Sequence, residues 1–230
     1  MAMTRDDCPR LLSLAVHEFR TPVTVVAGYL RMLLKMQAGI GDQPRKLLEE
    51  AEKSCTRLAA LIAELSEVSN FEAGHLALDR RDVGWFALVD EVAGAVHEGA
   101  DRGVRVEVRH PDREAVVTAD RKQLGRALEA VATATLRERA DPGVIVAACG
   151  TARIQDGAVA YVTIAPRGAG DDAAGFEAGQ WDTFERWRGG LGFRLVLAQA
   201  IVAAHGGTLF SGRGPRARAA CAAILPLKES

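Results

Sequence analysis

A long stripe of apolar residues near the N-terminus constrains the fold of this chain more than any other feature. The stripe advances by alternating steps of four and three residues, which is the heptad spacing of helices that pack in bundles. Its members are Leu12, Val16, Phe19, Val23, Val26, Leu30 and Leu33. The spacing predicts a first helix over residues 11–37 that packs against other helices.

A second helix is predicted after a short break. Residues 39–44 contain two glycines and a proline, which end helices and permit turns. Over residues 45–68 a second apolar stripe follows: Leu48, Ala51, Cys55, Leu58, Ile62 and Leu65. Two helices cannot bury both stripes alone, so we predict a dimeric four-helix bundle over residues 1–70. The alternative is a monomeric hairpin packed on the rest of the chain.

The rest of the chain mixes short strand patterns with amphipathic helices. A linker over residues 69–74 leads to a second predicted domain, 75–230. Strands are predicted at 76–79, 104–108, 116–118, 144–148, 159–164, 208–210 and 222–225, and helices at 84–98, 121–137 and 193–204. Helices on one face of a mixed sheet make this domain an α+β sandwich.

Composition and charge exclude several function classes. The formal net charge is -1, which does not favour a nucleic-acid or anionic-membrane partner. No N-terminal signal is visible, and the longest apolar runs fall short of the about 20 residues that span a bilayer. The four cysteines lack the spacing of a metal or redox pair: Cys8, Cys55, Cys149 and Cys221. We therefore expect a cytoplasmic chain with free thiols and no bound metal.

One histidine in the first predicted helix has neighbours suited to phosphoryl chemistry. Alone, a helical histidine is more often a surface or core residue, but neutral imidazole is also a nucleophile at physiological pH. Glu18 is positioned next to His17 to take the ring proton or to orient the ring. Thr21 lies four residues on, on the same helix face, and Pro22 removes a backbone donor and is expected to loosen the helix.

Residues 14–22, which read LAVHEFRTP, resemble the phosphoacceptor box of two-component sensor histidine kinases. In that family the histidine lies on the first helix of a dimeric hairpin, the acidic neighbour assists phosphorylation, and the threonine assists dephosphorylation of a response regulator. The resemblance implies that His17, Glu18 and Thr21 have these roles and that Arg20 balances phosphate charge. The regulator's receiver domain would dock beside and below His17. Candidate contacts for it are Thr24, Gly28, Arg31 and Met32.

The second domain resembles the ATP-binding domain that histidine kinases share with gyrase. The predicted order of elements matches that domain. Residues 200–207, AIVAAHGG, and residues 225–227, LPL, resemble its C-terminal part closely. The resemblance therefore covers the chain from residue 11 onward.

Several positions depart from the family's nucleotide site. Counted from Asp120, Ala130 and Ala134 stand where two characteristic asparagines belong, and alanine cannot bind a metal. Pro166 replaces the adenine-binding aspartate ahead of two retained glycines. Residues 184–187, FERW, are followed at once by a glycine cluster, so the lid over the nucleotide is essentially deleted. Arg216 and Arg218 replace the last glycine motif. The weak or vestigial cofactor-binding positions that remain are Gly168, Gly170, Gly189, Gly190 and Gly192.

These departures predict a phosphotransfer protein that binds no ATP and no other cofactor. His17 would accept a phosphoryl group from a response-regulator aspartate or from another kinase, and would pass it to a receiver aspartate. Few residues precede His17, so we expect the input from a separate protein or from an excised region. One alternative is an active autokinase that uses Mg-ATP through a divergent site. Another is a non-catalytic scaffold that sequesters a regulator or a kinase.

Overall fold

The chain divides into two compact units, residues 1–76 and 77–230. The computed structural model describes residues 7–35, 42–72, 74, 77–98, 100–111, 113–138, 142–154, 157–167, 181–186, 190–212 and 220–228. Within the helices, the side chains of residues 7–15, 17, 18 and 72 lie outside this description. The predicted order is confirmed, with a helical region followed by a mixed-sheet domain.

The first unit is a hairpin of two long helices, α1 (Asp7–Lys35) and α2 (Asp42–Glu72). Pro22 lies inside α1, and the helix continues through it. The predicted turn is too long at its C-terminal end, since Pro44 belongs to the first turn of α2 rather than to the break. Proline is tolerated there because the first turn of a helix has no intrahelical partner for its N–H groups.

The apolar stripe of α1 is only partly buried within one hairpin. Val16 and Ala27 in α1 are buried, as are Ile62 and Val68 in α2. In contrast, three stripe members spaced by seven residues stay exposed: Phe19 at 58%, Val26 at 48% and Leu33 at 45%. Leu47 and Leu58 of α2 are exposed as well. The single hairpin therefore presents an apolar face that its own two helices do not cover.

The second unit is built on a six-stranded sheet. Its elements in chain order are β1 (Arg81–Gly84), α3 (Trp85–Ala95), β2 (Val104–Arg109), β3 (Val116–Ala119), α4 (Arg121–Arg137), β4 (Gly143–Ile154), β5 (Gly157–Pro166), β6 (Trp181–Thr183), α5 (Arg194–Ala204), β7 (Thr208–Gly212) and β8 (Cys221–Pro226). The sheet order is β2-β4-β5-β8-β7-β6, with β2 parallel to β4 and the other pairs antiparallel. Strands β1 and β3 form a separate antiparallel pair.

Two local predictions were wrong. The segment predicted as a strand at 76–79 has no regular structure over its described residues 77–79, and the strand begins at Arg81 instead. Strand β6 was not predicted, because its three residues are too few to show an alternating pattern. Helix α4 has the predicted bounds, since the Asp120 carboxylate accepts a hydrogen bond from the Gln123 N–H (3.1 Å) and marks its start.

His205 connects the end of α5 to the start of α4. Its Nε2 accepts a hydrogen bond from the Asp120 N–H at 2.9 Å, so its Nδ1 carries the proton and donates to the Ile201 carbonyl at 2.7 Å. The ring is buried. The histidine of the AIVAAHGG segment therefore has a structural role: it holds the two helices in place.

The imidazole of His110 lies between two acceptor oxygens. Its Nδ1 lies 3.0 Å from the Pro111 carbonyl and its Nε2 lies 3.2 Å from an Asp90 carboxylate oxygen, while its ring stacks on Phe86. Only the protonated ring can donate to both oxygens. The hydrogen bond to Pro111 in the first place, and then the charges of Asp90 and Glu114, raise the pKa of His110 above its ordinary 6.5.

We therefore expect His110 to stabilise the fold at acid pH. A raised folded-state pKa gives a contribution that is complete below the unfolded value of 6.5 and is lost as pH rises through the folded value. Melting temperatures of the wild type and of His110→Gln, measured from about pH 5.5 to about pH 8.5, should differ most at the acid end. A difference that stays constant across this range would contradict the prediction.

Candidate functional site

The candidate phosphoacceptor position lies in the middle of α1. Residue 17 is helical, and its neighbour Val16 is buried in the hairpin as predicted. Consecutive helical residues are rotated by about 100°, so position 17 is displaced from the buried stripe toward its flank. The side chains of His17 and Glu18 lie outside the described residues.

The residues predicted to act with position 17 lie on the exposed part of α1. Arg20, Thr21, Thr24 and Gly28 are all exposed, and a spacing of four, three and four residues places Thr21, Thr24 and Gly28 on the face of position 17. The Thr24 hydroxyl donates to the Arg20 carbonyl at 2.8 Å. A Cβ at Gly28 would meet no neighbouring atom within 4 Å, so nothing in the described hairpin requires a glycine there.

Arg31 is engaged by the second helix. Its Nε lies 3.2 Å from a carboxylate oxygen of Glu52, and the Thr56 hydroxyl donates to the same oxygen at 3.4 Å. Sequence reasoning missed Glu52 and Thr56. No sequence pattern pairs these two residues with Arg31, because the register between α1 and α2 depends on the turn that joins them. Met32 is exposed beside this cluster in the sequence.

Two buried alanines occupy the positions of α4 at which the resemblance expects asparagine. Ala130 and Ala134 of α4 are 2% and 0% exposed. At the start of α5, Gly190 and Gly192 adopt left-handed backbone conformations with φ of 61° each, and Leu191 between them is buried. Gly168, Gly170, Gly189, Arg216 and Arg218 lie outside the described residues, as do residues 187 and 188.

Comparison with known proteins decides the family. Residues 10–74 match the model of the His Kinase A (phospho-acceptor) domain, which spans α1 and α2. This segment belongs to the phosphoacceptor domain family of histidine kinases.

Alignments with curated relatives extend beyond residues 10–74 into the second unit. The chain is 28% identical over 193 residues to the sensor protein DivL of Caulobacter vibrioides, covering 83% of the chain and 24% of DivL. It is 27% identical over 218 residues to the histidine-protein kinase BaeS of Escherichia coli, covering 93% of the chain and 45% of BaeS. The chain therefore spans less than half the length of these curated relatives.

Two solved histidine kinase structures have the same fold. Full-length ShkA, crystallised in complex with AMPPNP, superposes with a TM-score of 0.71 at 20% identity, covering 96% of this chain and 46% of ShkA. The kinase AdeS of Acinetobacter baumannii superposes with a TM-score of 0.57 at 17% identity, covering 93% of this chain and 98% of AdeS. At these identities the likeness establishes the fold alone.

Two positions on α4, 130 and 134, are those at which the family resemblance expects asparagine. Magnesium needs oxygen ligands, and the alanine side chains at 130 and 134 carry none. Both alanines are also buried by the protein itself, so the positions offer no surface to a metal-bound phosphate. Among the described residues, no group of three or more His, Cys, Asp or Glu side chains could hold a metal ion instead.

The cysteines of the described region form no disulfide with one another. They are Cys55, Cys149 and Cys221, of which the last two are buried. Burial raises the pKa of Cys149 to about 12, so its thiol stays protonated at physiological pH. The side chain of Cys8 lies outside the description. No helix in the described parts of the chain is sufficiently long and apolar to cross a membrane.

Proposed function

We propose that this histidine kinase family member carries a phosphoryl group on His17 and exchanges it with an aspartate of a response-regulator receiver domain, without using ATP itself. The observation that carries the proposal is the match of residues 10–74 to a phospho-acceptor domain whose sequence retains both His17 and Glu18. The buried alanines at 130 and 134 support the second half of the proposal, because they remove the metal ligands on which ATP use depends.

The chemistry is a reversible transfer between two nucleophiles. In the loading direction a ring nitrogen of His17 attacks the phosphorus of an aspartyl phosphate, a P–N bond forms, and the P–O bond to the receiver carboxylate breaks. Glu18 accepts or orients the ring proton, and the Arg20 guanidinium offsets phosphate charge. Thr21 positions water when the regulator is dephosphorylated. Magnesium for these steps comes from the acidic site of the receiver.

The exposed face of the hairpin supports a homodimer. Phe19, Val26 and Leu33 form an apolar line along α1, and Leu47 and Leu58 add apolar surface on α2. Burying exposed apolar surface against a second hairpin is favourable by about 25 cal/mol per Å². The same pairing would complete the four-helix bundle, and it leaves the face of Thr24, Gly28 and Arg31 available to a receiver domain.

Labelled phosphate donors test the proposal directly. The purified chain is incubated with labelled Mg-ATP and, separately, with a receiver domain carrying labelled aspartyl phosphate, and acid-labile phosphate on the chain is measured. We expect label from the receiver and none from Mg-ATP. Label from Mg-ATP would instead support the autokinase, which the intact His17-Glu18 pair also favours. Label from neither donor would favour the scaffold.

A further inference from the structure

Helices α4 and α5 are linked where the family resemblance places the nucleotide. Ala130 and Ala134 lie on α4, and the left-handed glycines 190 and 192 lead into α5. The first residue of α5 is Arg194, and its Nη2 lies 3.4 Å from a carboxylate oxygen of Glu129, the residue before Ala130. The protein's own ion pair therefore spans the two elements that would otherwise hold metal and phosphate.

The small residues of α4 make this closure possible. Four helical positions on one side of α4 carry alanine or threonine, and all are buried: Ala127, Ala130, Thr133 and Ala134. Larger polar side chains at 130 or 134 would need partners in a region where the protein leaves no solvent contact. At positions 130 and 134 the expected nucleotide site therefore has neither metal ligands nor solvent-exposed surface.

A second ionic contact on α4 offers a comparison. Arg121, at the first turn of α4, pairs with Glu91 of α3. This pair is more exposed than the Glu129–Arg194 pair, and it connects α4 to α3 instead of α5. Its removal should perturb the start of α4 without affecting α5.

We propose that Glu129 and Arg194 form a lock that holds α4 and α5 together without nucleotide, so that transfer through His17 does not respond to Mg-ATP or Mg-ADP. The second half of this statement rests on the proposed function, and the lock itself does not. A domain closed by its own side chains has a single conformation for the partner protein, whereas one closed by a ligand changes with ligand supply.

Hydrogen exchange on the full chain tests the lock. Arg194→Gln and Glu129→Gln each remove the pair while keeping a side chain of similar length. Both variants should raise amide exchange in the first turns of α5 by about two- to fivefold, the range expected for an exposed ion pair. The double variant should not raise α5 exchange above the larger of the two single-variant values, since both substitutions remove the same contact. The matched control, Arg121→Gln, should leave α5 exchange unchanged.

Nucleotide addition tests the consequence. Millimolar Mg-AMPPNP should leave the wild-type melting temperature and α4–α5 exchange unchanged, and Mg-ADP should not alter the rate of transfer between a phosphorylated receiver and His17. Unchanged α5 exchange in both Gln variants, or protection of α4 and α5 by Mg-AMPPNP, would overturn the lock. If no phosphoryl transfer occurs under any condition, the proposed function fails, and the exchange results still decide on the lock.

Discussion

Replacing His17 by alanine is expected to lower phosphoryl uptake from a phosphorylated receiver domain by at least about 1,000-fold. Alanine has no nucleophilic atom, so the P–N bond cannot form, and the neighbouring Glu18 cannot substitute for the ring. Fold and dimerisation should be retained, because position 17 is displaced from the buried stripe that contains Val16. The measurement is the rate of acid-labile label appearing on the chain.

A second histidine supplies the control for this prediction. His97 is exposed in the other unit, and His97→Ala should take up label at the wild-type rate. Elution volume and melting temperature of both variants should match those of the wild type. Full labelling of His17→Ala would show that another residue accepts the phosphoryl group. If the His17→Ala chain still regulates its partner protein, the result would favour the non-catalytic scaffold.

Replacing Gly207 by alanine is expected to destabilise the second unit by about 3 kcal/mol or more. A Cβ at this position would lie 2.3 Å from the backbone oxygen of Ile224, 3.0 Å from Val202 Cγ1 and 3.1 Å from Leu225 Cγ. The nearest obstacle is backbone of strand β8, which cannot turn away as a flexible side chain can. For a chain of this size the melting temperature should fall by about 6 to 12 °C.

Gly94 is the matched control for the Gly207 prediction. It lies in helix α3, and a Cβ there would meet no neighbouring atom within 4 Å. Gly94→Ala should leave the melting temperature unchanged or raise it, since alanine is favoured over glycine inside a helix by up to about 1 kcal/mol. Equal melting temperatures for the two alanine variants would show that β8 moves to accommodate the side chain.

Local patterns predicted most of the helices and strands of this chain. Helix α4 is the clearest case, because an N-cap aspartate and a regular apolar spacing both lie within its own residues. The phosphoacceptor box could also be identified from the sequence, since its residues are contiguous. The strand expected at 76–79 failed because a few apolar residues without a partner strand do not determine where pairing begins. The predicted residues around the nucleotide glycines fall largely outside the described chain.

The sequence alone determined the order of most helices and strands and the resemblance to histidine kinases, since each depends on residue identity or on spacing within one segment. Only the tertiary structure decided which part of the α1 stripe is buried, that Glu52 engages Arg31, that His205 joins α5 to α4, and that Arg194 reaches Glu129. These contacts join residues that are from 21 to 85 positions apart. Such pairs form when packing brings separate elements together, and no local periodicity records them.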